Sequence, residues 1–187
     1  MALRLDFSMP DPADTHVRIG ALRRRQLRSV LKIEAQVYPR PWSVGVFTAE
    51  LAQKDTRCYL SARVGNTLVG YCGTLYSDRD AHITNIAVDP KWQRHQIGTR
   101  LMAAIIRESL TRGAANLTLE VRVSNTAAQE MYRRFGMVPA GIRRKYYENV
   151  DDALVMWAHD IGSEAYLSRL RGLEVGVAGS TSLEGLK

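Results

Sequence analysis

Apolar and polar residues alternate in short runs along most of this chain, and between those runs the period lengthens to that of a helix. "HVRIGAL" alternates as a strand does. "RRRQLRSVLKIEAQVY" then carries Leu27, Val30, Leu31, Glu34 and Val37 at helical spacing, and "PRPW", Pro39 to Trp42, breaks that helix. Ser43 can cap a second helix, "VGVFTAELAQK", with Val46, Phe47, Glu50 and Leu51 in one region. "RCYLSARV" and, after the Gly65-Asn66 turn signal, "TLVGYCGTLY" read as strands, and "AHITNIAV" as another. Ile97 to Arg112 is amphipathic, with Leu101, Met102, Ile105, Ile106, Ser109 and Leu110 on one side, and Gly113 ends it. "NLTLEVRV" puts Leu117, Leu119, Val121 and Val123 on one face and Thr118, Glu120 and Arg122 on the other. "SNTAAQEMYRRFG" is a capped helix, with Thr126 and Gln129 at capping-box spacing. Two strands, "MVPAGIRRKYY" and "DALVMWAHDI", flank "ENVD".

The predicted order is β-α-α-β-β-β-α-β-α-β-β. The strand-helix-strand unit from Ala81 to Val123 should be parallel and right-handed, and the hairpins antiparallel. That gives a mixed α/β chain of the α+β kind, one sheet with helices on both faces. Within "AHITNIAV", Ile83 and Ile86 are three apart, which a period of two cannot place on one face. Either both faces are buried or a bulge lies between them. Residues 1–14, with Pro10 and Pro12, read as a flexible arm, and residues 15–161 as the domain. Residues 162–187 read as a Gly- and Ser-rich mobile tail, partly docked through one short helical segment around Tyr166 to Leu173.

Composition narrows the class. The 187 residues suit one domain, and 45% hydrophobic with 24% charged residues is ordinary for a globular protein. No apolar run approaches the ~20 residues that span a bilayer, and no secretory leader is expected. Cys58 and Cys72 read as buried free thiols of a cytoplasmic protein. The four histidines lack zinc-ligand spacing, so no metal is expected. The net charge of +7 is densest in "RRRQLR", Arg23 to Arg28, which reads as a solvated helix face or as an attractor of phosphate. No nucleic-acid motif accompanies it.

"WQRHQIGTRL", Trp92 to Leu101, is a loop that becomes a helix. It is neither a Walker loop nor a dinucleotide fingerprint. A strand ends at Val88, a turn runs through Asp89-Pro90, and a helix starts near Ile97, where unpaired N–H groups and the helix dipole suit an anion. Gly98 lets a phosphate approach the backbone, and Arg94 and Arg100 add charge. On these grounds alone a phosphate site and an uncommitted helix start are both open.

Gln93 to Thr99, "QRHQIGT", resembles the Gln/Arg-x-x-Gly-x-Gly/Ala loop of the GCN5-related N-acetyltransferases, with Gln96 at the first glycine. "NIAVDP", "LEVRVSNTAAQEMYRRFGM", "PWS" and "RRKYY…DALVMW" are similar to the same family, over about Val17 to Asp160. The likeness is greatest to the RimI-type branch, which acetylates protein N-termini, in bacteria that of small-subunit ribosomal protein eighteen. The resemblance implies a central sheet of about seven strands, splayed between the fourth and fifth, and acetyl-CoA as cosubstrate. It implies that Arg94, His95, Gln96, Ile97, Gly98 and Thr99 hold the pyrophosphate, that Ile86, Ala87 and Val88 pair with the pantetheine arm, and that Asn125, first a helix cap, also touches the cofactor.

The reaction so implied is direct transfer. A neutral amine attacks the thioester, an oxyanion forms and a thiolate leaves. An α-amine has a pKa near ~8, so a base must take a proton. Glu120 is the candidate, its competing reading being a salt bridge to Arg122 or to a neighbouring strand. The thiolate, with a pKa near ~8.5, leaves more easily beside a donor. Tyr132 is the candidate, its competing reading a core aromatic. The Pro39–Ser43 turn with Trp42, and the Tyr146-Tyr147 hairpin, resemble the loops that clamp a peptide N-terminus. A narrow slot would favour the α-amine over lysine, whose pKa is near ~10.4. The partner implied is a protein or peptide N-terminus, such as that of a ribosomal protein beginning with alanine. The alternatives are an acetyltransferase for a polyamine or aminoglycoside, and a non-catalytic acetyl-CoA-binding or RNA-associated module. Oligomeric state is not legible.

Overall fold

The computed structural model describes residues 9–186. Its first eleven elements follow the predicted order. They are β1 (His16–Ala21), α1 (Leu27–Val37), α2 (Val44–Ala52), β2 (Arg57–Val64), β3 (Thr67–Ser77), β4 (Asp80–Val88), α3 (Ile97–Thr111), β5 (Asn116–Arg122), α4 (Thr126–Arg134), β6 (Val138–Tyr147) and β7 (Asp151–Ala158). Of the arm 1–14, residues 1–8 lie outside the described residues, and Pro12–Asp14 form a 3-10 turn capped by Asp11.

The segment read as a mobile, partly docked tail docks through the expected helix and also through a strand that its composition does not advertise. It forms α5 (Glu164–Val175), capped by Ser163 and burying Tyr166 and Leu170, and then β8 (Ser180–Glu184). β8 adds a strand to the expected seven, and the sheet runs β6-β7-β5-β4-β3-β2-β1-β8.

Alternate residues of the central strands feed two cores. Leu60 and Cys72 pack on one face with Leu101, Met102, Ile105 and Ile106 of α3, while Tyr59 and Tyr71 pack on the other with Val30, Ile33 and Phe47 of α1 and α2. The sheet is thus covered on both sides, and its strands are apolar on both faces. Cys58 and Cys72 are buried free thiols, and burial pushes the Cys58 thiol up to about 12.

One break in the sheet positions everything that follows. β3 and β4 pair antiparallel, but the register slips after Gly73↔Asn85 to Thr74↔Ile83, leaving Thr84 as an extra residue. This bulge, rather than burial of both faces, explains the three-residue spacing of Ile83 and Ile86. β4 then pairs with β5, parallel as expected, only from Asp80↔Asn116 to Ile83↔Leu119. Beyond the bulge the two strands part.

Candidate functional site

The splay leaves hydrogen-bonding groups of β4 turned to an open cleft. Asp89 N–H donates to Val69 O at 2.9 Å, so this end of β4 spends every second residue on β3. Backbone groups of alternate residues point to opposite edges. Those of Ile86 and Val88 therefore face the side that β5 has left. The Ile86 carbonyl confirms the direction, because Tyr38 Oη donates to it at 3.0 Å from α1's end. The cleft between the parted strands holds about 1130 Å³.

At one end of the cleft lies the loop into α3. Gln96 precedes the helix in a left-handed conformation, φ 57° and ψ 20°, and no side chain caps the first turn. The N–H groups of Ile97, Gly98 and Thr99 thus have no helical partner. Gly98 sits against Met131, whose Sδ would lie 3.2 Å from a Cβ there, and both line the cleft. Arg94, Gln96, Ile97 and Thr99 line it too, with Ile86, Ala87, Val88 and Asn125. His95 does not. It packs edge-on against Trp92 at 5.5 Å. Arg100, expected to add charge here, turns away and is buried against the chain after Gly176, so its guanidinium faces carbonyls and a hydroxyl instead of the cleft.

Asn125 caps α4, its Oδ1 accepting the Ala128 N–H at 3.2 Å. The Thr126–Gln129 capping box does not form. Gln129 is buried and donates instead to the carbonyls of Arg122 and Val123 at 3.1 and 2.9 Å, tying α4 to the end of β5.

Glu120 and Tyr132 come into the same cleft from β5 and α4. The Glu120 side chain is only 6% exposed, yet neither oxygen is unpaired: Oε2 is 3.1 Å from His82 Nε2 and Oε1 is 3.1 Å from the Arg143 guanidinium. The hydrogen bond from His82, ahead of burial, sets the net direction and holds the carboxyl below its usual range. Arg122, the partner the strand pattern suggested, pairs with Glu148 and Asp151 instead, both at 2.5 Å. Tyr132 is 5% exposed, and burial raises its hydroxyl pKa, so the group is held as a proton carrier near neutrality.

The rim on the α1 side is set by an acid the helical pattern had placed on an apolar face. Glu34 is buried; Oε2 accepts the Trp42 N–H at 2.7 Å, and Oε1 accepts from the Tyr71 hydroxyl. Desolvation raises its pKa. This pair of bonds fixes the Pro39–Ser43 turn and seats Trp42 on the cleft wall. On the opposite rim Tyr147 lines the cleft and donates to the Glu120 carbonyl at 3.0 Å. Tyr146 does not line it. It is 46% exposed, edge-on to Tyr147 at 5.0 Å, with Arg143 over its ring at 5.6 Å.

The profile of the acetyltransferase (GNAT) family matches residues 27–137, more than half of the chain. The chain belongs to that family. It is 39% identical over 142 residues to the Mycobacterium tuberculosis N-alpha-acetyltransferase RimI, covering 72% of this chain and 87% of that one. It is 34% identical over 141 residues to the Escherichia coli ribosomal protein bS18-alanine N-acetyltransferase, covering 74% and 94%. The crystal structure of the E. coli ribosomal-protein-S18-alanine N-acetyltransferase superposes with a TM-score of 0.71 at 32% identity, over 77% of this chain and 94% of that one.

As a GNAT enzyme the chain is an acetyl-CoA-dependent N-acetyltransferase. Its residues fit that cosubstrate: unpaired N–H groups at a helix start for phosphate, a strand edge at Ile86 and Val88 that β5 has left, for an amide-bearing arm, and one cleft lined by both. Among the described residues no group of His, Cys, Asp and Glu could hold a metal ion, and no helix is long and apolar enough to cross a membrane. Sequence reasoning missed four residues of the site: Glu34, Tyr38, His82 and Arg143. Glu34 alone left a signal, an acid on a stripe with Val30 and Val37. The others meet the site only through strand register and the end of α1.

Proposed function

We propose that this GNAT enzyme acetylates the N-terminal α-amine of a protein, and that its substrate is a ribosomal protein beginning with alanine. The observation that carries the proposal is the convergence of Glu120 and Tyr132 on one cleft whose β4 edge is unpaired. The named activities of the M. tuberculosis and E. coli relatives support the substrate class.

In this reading acetyl-CoA, held by the Gln93–Thr99 loop and the Ile86–Val88 edge, supplies an activated thioester. Glu120, ionised near neutrality, accepts the amine proton directly or through water, and His82 orients the carboxylate from 3.1 Å. An N–H of the β4 edge would be available to the acetyl oxygen, where negative charge grows. Tyr132 Oη gives its proton to the departing sulfur. Trp42 and Tyr147 form the walls against which the peptide lies, and Tyr146 supports Tyr147 from behind.

A polyamine fits the cleft poorly. Arg40, Arg94 and Arg134 line it without an acidic partner among the described residues, whereas of its four acids Glu34, Glu120 and Glu148 are already hydrogen-bonded or ion-paired and Glu130, exposed at the surface, lies 3.8 Å from Arg133. Rates measured side by side for spermidine and for a short peptide with a free N-terminal alanine test the reading. The peptide should be favoured, and a preference for spermidine would overturn it.

A further inference from the structure

The α5–β8 segment, beyond the GNAT match, meets the cosubstrate loop at Ala178. β8 runs parallel to β1 through five paired positions, from His16↔Ser180 to Gly20↔Glu184. The approach is close enough to demand glycine. At Gly179, whose φ is +78°, a Cβ would lie 2.4 Å from the Thr15 carbonyl oxygen and 2.6 Å from that of Pro12. Farther back, Arg107 holds Glu174 of α5 with two bonds of 2.6 and 2.5 Å.

Two residues at the start of α3 grip this segment. Gln96 Oε1 accepts the Ala178 N–H at 2.9 Å. Arg100 donates to the carbonyls of Ala178 and of Ser180, the latter at 3.0 Å, and to the Thr181 hydroxyl. Arg100 is 4% exposed and has no carboxylate partner among the described residues, so the segment supplies the acceptors that make its burial tolerable. Gln96 stands where the family's loop carries its first glycine, and it holds the left-handed conformation that glycine adopts freely. A residue with a Cβ meets a strain cost in that region, and Arg94 of the same loop is left-handed as well. At Gln96 the bond to Ala178 is the side-chain contact available to offset that cost.

We propose that the docked α5–β8 segment positions acetyl-CoA, with Gln96 as the positioning residue that transmits its hold to the loop. The bond from Ala178 keeps Gln96 left-handed, and that turn aims the N–H groups of Ile97, Gly98 and Thr99 into the cleft. The proposal rests on reading Gln93–Thr99 as the pyrophosphate loop.

Calorimetric titration with coenzyme A tests it in the full-length chain. Gly179→Val should unseat β8, which hydrogen exchange at Ser180–Glu184 reports. Gln96→Ala keeps the Cβ and removes the acceptor. Each should weaken coenzyme A binding about threefold to tenfold and raise the acetyl-CoA KM more than it lowers kcat. The double variant should lose no more than the weaker single variant, and Gln96→Gly placed in the Gly179→Val protein should recover most of the affinity. Unchanged affinity in Gln96→Ala overturns the proposal, as do losses that multiply in the double variant. Gly98→Asp is the control on the loop itself. If it binds coenzyme A normally the loop reading fails, whatever the Gln96 variants do.

Discussion

Glu120 Oε2 lies 3.1 Å from His82 Nε2, while its Oε1 lies 3.1 Å from the Arg143 guanidinium. A carboxylate held this way is favoured in its charged form by both contacts. Its folded pKa is lowered, so the stability it contributes is complete at neutral pH and is lost as pH falls through the folded value. For the reaction this means that Glu120 is in its base form at neutral pH. The pH profile of kcat/KM should therefore rise with the substrate amine, towards ~8, without a limb at pH 4 to 5. Glu120→Gln should lower kcat by a factor on the order of 10² to 10³ with the fold intact, measured by initial rates and circular dichroism. Rates within twofold of the unsubstituted enzyme would remove Glu120 from the mechanism.

Tyr132→Phe removes one hydroxyl from a buried ring and leaves the packing of α4 in place. Turnover should fall by about 10², while coenzyme A affinity changes little. Single-turnover kinetics separates the two effects, and equal loss in binding and turnover would recast Tyr132 as a structural residue.

The order of elements along the chain was legible from alternation, and the splay from the family resemblance together with one irregularity. The odd spacing of Ile83 and Ile86 recorded the bulge at Thr84, and the bulge ends the β4–β5 ladder. An ion pair from Glu120 to a neighbouring strand was legible as its competing reading, but the partners themselves were not. His82 lies on the neighbouring strand and Arg143 on the edge hairpin, and only register brings them together. Nor was the destination of Arg100, since its acceptors lie 78 to 81 residues away in a segment whose Gly and Ser content suggested mobility. One glycine of that segment has a packing cause: at Gly179 a Cβ would meet the carbonyl oxygens of Thr15 and Pro12.

Gly98 leaves room for a ligand at the α3 start, with Met131 as its nearest neighbour. Gly98→Asp places a carboxylate where phosphate would sit, and like charges at one anion site repel. Coenzyme A binding should fall at least a hundredfold by calorimetry, with the thermal midpoint of the ligand-free protein little changed.

Glu34 anchors the α1 rim at an energetic cost, since burial opposes its charge. Its folded pKa is raised, so its burial weighs against the folded state increasingly as pH rises through the unfolded value towards the folded one. Glu34→Gln retains an acceptor for the Trp42 N–H without the charge and should match or exceed the unsubstituted protein in thermal stability at pH 8. Glu34→Ala strands the Trp42 N–H and the Tyr71 hydroxyl and should cost about 2 to 3 kcal/mol, read by denaturant unfolding.

The central claim is that acetyl reaches an α-amine held between Trp42 and Tyr147. A synthetic peptide with a free N-terminal alanine and an internal lysine, incubated with the enzyme and acetyl-CoA and sequenced by fragment mass, tests it most directly. One acetyl group on the alanine nitrogen and none on the lysine is the predicted result. Acetylation of the lysine alone, or of neither amine while a small amine is consumed, would contradict it.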